Sequence, residues 1–311
     1  MAMRLIVATA ALVGALGVTM PAAPPGSPVP AQEAPPVFSA QSELVVLQVM
    51  VEDRRHSYVT DLTADAFTVR EDGTPQTIAF FNQLDAPVDV GVIVDGSGSM
   101  QAVRGLVAAA ADGFVRASNA EDEMFALTFN DTVHPLLPER APFTNSGGTL
   151  RAALAGAITS RGRTALYDAI VAGLRYADGG MYERKALVVI SDGGDNASMS
   201  TLDDVLDAVR LSNAVIDAIT IVDPVDPDAH PGRLKRLAEA SGGEAFQVQA
   251  ADELPSVMQH IARDIRRMYT IGYLPSHVGG SGFRRIRVDV QAAGHGGLHV
   301  RTRDGYIAGK R

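Results

Sequence analysis

Apolar residues fall along this chain in two rhythms. Between Val88 and about Met268, short continuous apolar runs alternate with longer stretches in which apolar positions recur every three or four residues. The runs Val88–Val94, Met124–Phe129, Ala186–Ile190 and Val215–Val222 predict buried strands. The stretches Val103–Ala117, Leu150–Ile158, Ala165–Ala177, Leu202–Leu211, Pro231–Ala240 and Pro255–Arg267 predict helices. Thr201 with Asp204 three residues later is a capping-box start for one of them, with Asp in place of the usual Glu. Apolar strands that alternate with helices imply a doubly wound, Rossmann-like α/β fold, its mostly parallel sheet covered on both faces.

The flanks have another texture. Glu43–Phe81 holds strand-like runs and a hairpin signal at Glu71-Asp72-Gly73. After Tyr269 the strand texture returns, and Phe283–Gln291 alternates apolar with charged residues as a half-exposed strand should. Residues 43–86 and 269–311 are therefore expected to pack together as a small β module. The α/β domain, residues 87–268, would be an insertion between them. Tyr269 and Tyr273, at the return to strand, are expected to pack between the two modules.

The first residues differ again. Arg4 precedes the uncharged, largely apolar run Leu5–Met20, and Val29-Pro30-Ala31 offers a small-x-small cleavage site. At about 1.5 Å per residue the run falls short of a hydrocarbon core roughly 30 Å thick. Residues 1–31 read as a secretory signal cleaved after Ala31, and 32–42 as the Pro/Ala-rich linker that follows. The expected location is secreted or periplasmic; only an uncleaved signal would tether the chain to a membrane.

Composition narrows the function. With 311 residues, 46% of them hydrophobic, the chain can bury a sizeable core. A net charge of −9 offers no field for nucleic-acid phosphates, so a nucleic-acid partner is not expected. There is no cysteine, hence neither disulfide nor thiolate ligand.

The chemistry gathers where strands end. VDVGVIVDGSGSM turns at Asp95 from apolar to Asp-Gly-Ser-Gly-Ser, and ALVVISDGGDN does the same at Asp192. In GRTALYDAI, Thr164 opens a helix after Gly162. Ligands of doubly wound sheets bind beyond the carboxyl ends of strands at the switch point. If the first and third strands flank that point, Asp95, Ser97, Ser99, Thr164 and Asp192 converge. That set is all oxygen, which suits a hard cation: Mg²⁺, with Mn²⁺ or Ca²⁺ as alternatives. Other readings fit less well. Gln101 stands where a dinucleotide loop needs Gly or Ala, no Gly-Lys-Ser/Thr phosphate loop follows, and neither serine lies in Gly-x-Ser-x-Gly. Asp95 as a phosphotransferase nucleophile has no evident basic partner.

Together DGSGSM, GRTALYDAI and ISDGGDN resemble the three loops of the metal-ion-dependent adhesion site of von Willebrand factor type A domains. The flanking β segments resemble those of bacterial exported "VWFA-related" proteins. The resemblance implies that Asp95, Ser97, Ser99, Thr164 and Asp192 are the five ligand positions. Ser and Thr oxygens would bind the ion directly, the aspartates often through water, and a partner protein's Asp or Glu would complete the sphere. The implied function is metal-dependent protein–protein interaction without catalysis. The alternatives are a metal-dependent hydrolase or phosphatase outside the cytoplasm, and a scaffold whose metal is purely structural. Specificity would reside in loops such as Pro142–Gly148 and Asp223–Gly232. Asp195 reads as a solvated loop acid or a support for the site, the cluster Arg263–Arg267 as a solvated helix face. His56, His134, His230 and His260 read as surface or turn residues, and His295 with His299 lies in a Gly-rich β region that does not favour zinc.

Overall fold

A computed structural model describes residues 44–157, 162–221, 230–277, 280–292 and 294–309. The predicted signal and linker lie outside them, as do Ile158 and Val222 at two predicted element ends. The N-terminal flank forms β1 (Val45–Glu52), β2 (Phe67–Glu71), β3 (Thr74–Gln76) and β4 (Ile78–Asn82). Then come β5 (Val88–Asp95), α1 (Arg104–Ala117), β6 (Glu123–Phe129), β7 (Val133–Pro135), α2 (Gly147–Ala155), α3 (Leu166–Asp178) and β8 (Arg184–Ser191). They are followed by α4 (Leu202–Leu211), β9 (Val215–Ile221), α5 (Pro231–Ser241), β10 (Ala245–Val248) and α6 (Leu254–Arg267). The chain closes with β11 (Tyr269–Tyr273), β12 (Gly282–Val290), β13 (His299–Arg301) and β14 (Gly305–Ala308). All of this belongs to one compact unit.

The central sheet has the order β10-β9-β8-β5-β6-β7 and is parallel except for β7 at its edge. The chain moves from β5 outward to β6 and β7, then returns to the other side of β5 as β8. The reversal therefore falls between β5 and β8, which lie side by side in register. Every residue of β5 is buried, as its unbroken apolar run requires of a central strand. Its even-numbered valines Val90, Val92 and Val94 pack with α1, α2 and α6, whereas Ile93 faces α3. Gly91 is small because it must be: a Cβ there would run into Phe125 and Leu187 from the neighbouring strands. The capping box at Thr201 forms as its residues suggested, with the Asp204 N–H and side chain bonded reciprocally to Thr201.

Outside this sheet the two ends of the described chain interleave. One sheet runs β13-β1-β11-β4 and another β14-β12-β2-β3, each mixing strands from both flanks. Leu47, Val49, Phe67, Val69, Ile271, Ile286 and Val288 fill the space between them. Asp72 and Gly73 both have positive φ, 48° and 84°, which makes the tight β2–β3 turn. Tyr269 and Tyr273 do not pack between modules as their position suggested. Both are fully buried within the β core, because each hydroxyl has a partner there. Tyr269 donates to the Val59 carbonyl at 2.8 Å and Tyr273 to Glu71 at 2.7 Å. Glu71 also accepts from Tyr306 and from Arg284, so one buried carboxylate joins four strands, its own included. No helix among the described residues is long and apolar enough to cross a membrane.

Candidate metal centre

The carboxyl ends of β5 and β8 bring two aspartates together. Asp95 is the last residue of β5 and is fully buried; Asp192 follows β8 directly and is 4% exposed. One oxygen of Asp95 accepts the Ser97 N–H at 2.9 Å, and the other accepts the Ser191 hydroxyl at 2.7 Å. Beyond Gly96 the chain enters a short 3-10 turn from Gly98, which swings Ser99 across toward Asp192. Ser97 and Ser99 share a hydrogen bond of 3.0 Å between their hydroxyls, and Ser99 donates to Asp192 at 2.6 Å. Asp192 holds its own turn by accepting the Gly194 N–H at 2.9 Å. Gly96 permits this crowding, since a Cβ there would lie 2.8 Å from the Thr128 hydroxyl and 2.9 Å from the Ala157 carbonyl.

Thr164 reaches the same region differently. It is 7% exposed, and its N–H donates to the Asn196 side chain at 2.9 Å. Its carbonyl accepts from Asn196 and Ala197, which fastens it to the loop that follows Asp192. Ala165 is pinned to the Asn130 carbonyl beyond β6. Hydrogen bonds thus run directly from Asp95 through Ser97 and Ser99 to Asp192, and Ser191 is bonded to Asp95 alone of the four. Thr164 joins by its backbone, and its hydroxyl bonds none of the other four.

The electrostatics of this end of the sheet are unbalanced. Burial pushes the Asp95 carboxyl up to about 6 and the nearby Asp192 adds to this, while hydrogen bonds from Ser97 and Ser191 pull it back. No Lys or Arg forms an ion pair with either aspartate among the described residues. Such a donor set fits a divalent ion: oxygen alone, two carboxylates, hydroxyls at hydrogen-bond spacing and no countercharge.

Neighbouring residues take clearer roles. Asp195 supports the first turn of α3, accepting from the Tyr167 N–H at 3.3 Å and from Ser198 at 2.6 Å. His230, read from sequence as a surface or turn residue, is exposed before α5 and lies beside the Asp192 loop. A Cβ on Gly193 would meet its carbonyl at 3.1 Å. Of the two loops expected to set specificity, Pro142–Gly148 supplies the Ser146 cap of α2. Most of Asp223–Gly232 lies outside the described residues.

A second acidic grouping escaped the sequence reading. Glu244, His260 and Asp264 place ligand-type atoms within 4.8 Å of one another. Glu244 directly precedes β10, so this group lies at the amino end of the parallel strands, opposite Asp95. Here the chain brings its own cation: Arg301 bonds Asp264 at 2.8 Å and approaches Glu244 at 3.1 Å. Tyr58 donates to Asp264 as well, and Arg267 stacks on the Tyr58 ring at 4.5 Å. Arg263, Arg266 and Arg267 are exposed on a solvated helix face, where Arg266 pairs with Asp85.

The family model for the von Willebrand factor type A domain matches residues 89–260, more than half of the chain. The chain belongs to the von Willebrand factor type A domain family. No curated protein matches it in sequence. Among solved structures, a von Willebrand factor type A protein from Catenulispora acidiphila is similar over 86% of this chain and 75% of its own, with 14% identity and a TM-score of 0.50. That likeness supports the fold alone. The von Willebrand factor domain of the type V pili tip protein Mfa5 from Porphyromonas gingivalis matches 59% of this chain and 96% of its own, with 13% identity and a TM-score of 0.48. The conserved hypothetical protein BatB from Bacteroides thetaiotaomicron matches 57% of this chain and 98% of its own, with 16% identity and a TM-score of 0.44. In this type A domain the DGSGSM and ISDGGDN loops meet at the switch point of the sheet, and GRTALYDAI is fastened to the second of them.

Proposed function

We propose that this protein recognises other proteins through a divalent cation, Mg²⁺ or a close substitute, outside the cytoplasm. Ser97, Ser99 and Thr164 would hold the ion through their hydroxyls, with Asp95 and Asp192 contributing charge. When bound, the ion supplies an electrophilic centre for an Asp or Glu carboxylate of the partner. The observation that carries this reading is the pair of buried carboxylates joined through Ser97 and Ser99, with no countercharge among the described residues. Asp95 keeps the Ser97 turn in place by accepting its N–H, and Ser191 orients the Asp95 carboxylate from behind. Asp192 positions the Ser99 hydroxyl. Because no His or Lys and no carboxylate beyond Asp95 and Asp192 is hydrogen-bonded to this set among the described residues, recognition is favoured over hydrolysis or phosphate release. Burial of the β core between strands of both flanks supports treating 43–86 with 269–311 as one module and 87–268 as the binding domain. The signal reading of residues 1–31 supports export.

Capture from the native cell envelope tests the reading. The purified protein should retain a partner in Mg²⁺, release it into chelator, and fail to retain it as Thr164→Ala. Retention that ignores both chelator and Thr164→Ala would contradict it. Turnover of simple phosphoesters that Thr164→Ala abolishes would replace it with the enzyme reading.

A further inference from the structure

An arginine stands beside the metal centre without belonging to its donor set. Arg163 directly precedes Thr164, and its side chain is 68% exposed. Two hydrogen bonds fix where it lies. Its N–H donates to one Asp131 oxygen at 3.3 Å, and its Nε donates to the other at 3.1 Å. Asp131 stands two residues beyond Phe129, which pairs with Asp95 and accepts the Gly96 N–H at 2.7 Å. The guanidinium is therefore held on the β6 side of the Asp95 turn, whereas Asp192 follows β8 on the other side of β5. Gly162 makes this approach possible. Its φ is 119°, and a Cβ there would come within 2.8 Å of Asn130 and 3.0 Å of Asp131.

The contact with Asp131 uses only part of the arginine. Hydrogen bonds from Arg163 hold the Asp131 carboxyl below its ordinary range, yet they come from Nε and the backbone N–H alone. Neither terminal nitrogen of Arg163 is hydrogen-bonded among the described residues. Arg233, at the same end of the sheet, is bonded to Tyr167 instead. The surroundings are otherwise acidic. Asp168 and Asp195 lie close by, accepting backbone N–H groups of Met199, Ser200 and Tyr167. A negatively charged partner is thus attracted at two places here, the ion and the free edge of Arg163.

We propose that Arg163 is a second anchor for the partner of the metal centre, and that this partner presents an acidic segment. One carboxylate of the segment meets the ion, as in the reading of the site on which this inference rests. A second Asp or Glu, within two residues of the first, pairs with the terminal nitrogens of Arg163. A guanidinium fork suits a carboxylate better than a neutral side chain does. Alternate residues of an extended segment lie about 7 Å apart on one face, and neighbouring strands about 4.8 Å, so a segment leaving the ion across β6 carries its next like-facing side chain toward Arg163. Because Asp131 already orients the guanidinium, pairing costs less side-chain freedom.

The test uses the full chain with Mg²⁺ and two labelled peptides, Gly-Glu-Gly-Asp-Gly-Glu-Gly and Gly-Gln-Gly-Asp-Gly-Gln-Gly, followed by fluorescence anisotropy. Wild type should prefer the acidic peptide by about threefold to tenfold, and the preference should shrink as salt is raised. Arg163→Gln, which keeps the backbone bond to Asp131, should bind Mg²⁺ as wild type does in calorimetry but lose the preference. Arg163→Lys, with the charge but not the fork, should keep part of it. Intact Mg²⁺ binding with no binding of the acidic peptide, equal binding of the two peptides by wild type, or full preference in Arg163→Gln would overturn the role of Arg163 alone. Absence of Mg²⁺ binding by wild type would overturn the reading of the metal centre and this inference with it.

Discussion

The central sheet has an acidic cluster at each end, and the two are neutralised in opposite ways. At the amino end, Asp217, Glu244 and Asp264 surround Arg301, delivered by β13 from the far end of the sequence. At the carboxyl end, Asp95 and Asp192 meet only hydroxyls and backbone N–H groups among the described residues. A buried carboxylate is costly unless paired. Where the chain supplies the cation, the cluster becomes an internal clamp between the α/β unit and the β sheets. Where it supplies none, the same chemistry is the one proposed to take a cation from outside. An acidic cluster alone therefore says little; the presence or absence of a resident Arg distinguishes a fastening from a receptor.

The clamp should be the more expensive one to break. Arg301→Met would leave Asp264, which is 1% exposed, without its 2.8 Å partner. Stability in urea should fall by about 3 to 5 kcal/mol, and Asp264→Leu in the same chain should restore part of it. Retention of full stability by Arg301→Met would remove the contrast between the two ends.

A smaller effect should appear in pH dependence. Burial, with help from the charges of Asp264 and Glu244, pushes the Asp217 carboxyl up to about 7 against the opposing pull of the Glu244 N–H and of Arg301, and one of its oxygens has no partner. Since the folded value lies above the unfolded one, the folded state keeps a proton that the unfolded chain has released. Stability from this group thus falls as pH rises from about 4 to about 7 and stays low above it. Asp217→Asn removes that loss, so it should gain on wild type by about 1 to 3 kcal/mol between pH 5 and pH 8. A gain that does not change with pH would place the charge burden elsewhere.

The contrast also explains what was legible from sequence. The carboxyl-end cluster could be read because its elements are local: an apolar run, a carboxylate, then glycines and hydroxyls within a few residues. Thr164 was expected to open a helix after Gly162; α3 begins two residues later, at Leu166, and Thr164 is tied to the Asp192 loop by its backbone. The clamp could not be read. Tyr58, Asp217, Glu244, Asp264 and Arg301 each stand alone in sequence, and only strand pairing from both flanks unites them. Short edge elements were missed for a related reason. Ala245–Val248 of β10 has one fully buried residue, and Val133–Pro135 of β7 has none, so neither shows a period. Tyr269 and Tyr273 were misplaced because a phenol in a β core depends on partners such as Val59 and Glu71, which the local pattern cannot reveal.

The central claim is that the carboxyl-end cluster awaits a cation and the amino-end cluster does not. Calorimetric titration of Mg²⁺ into wild type, Asp95→Ala and Glu244→Gln, each verified as folded by circular dichroism, tests it most directly. The account predicts one saturable site in wild type, preserved in Glu244→Gln and lost in Asp95→Ala. Equal Mg²⁺ binding by wild type and Asp95→Ala, or its loss in Glu244→Gln alone, would contradict it.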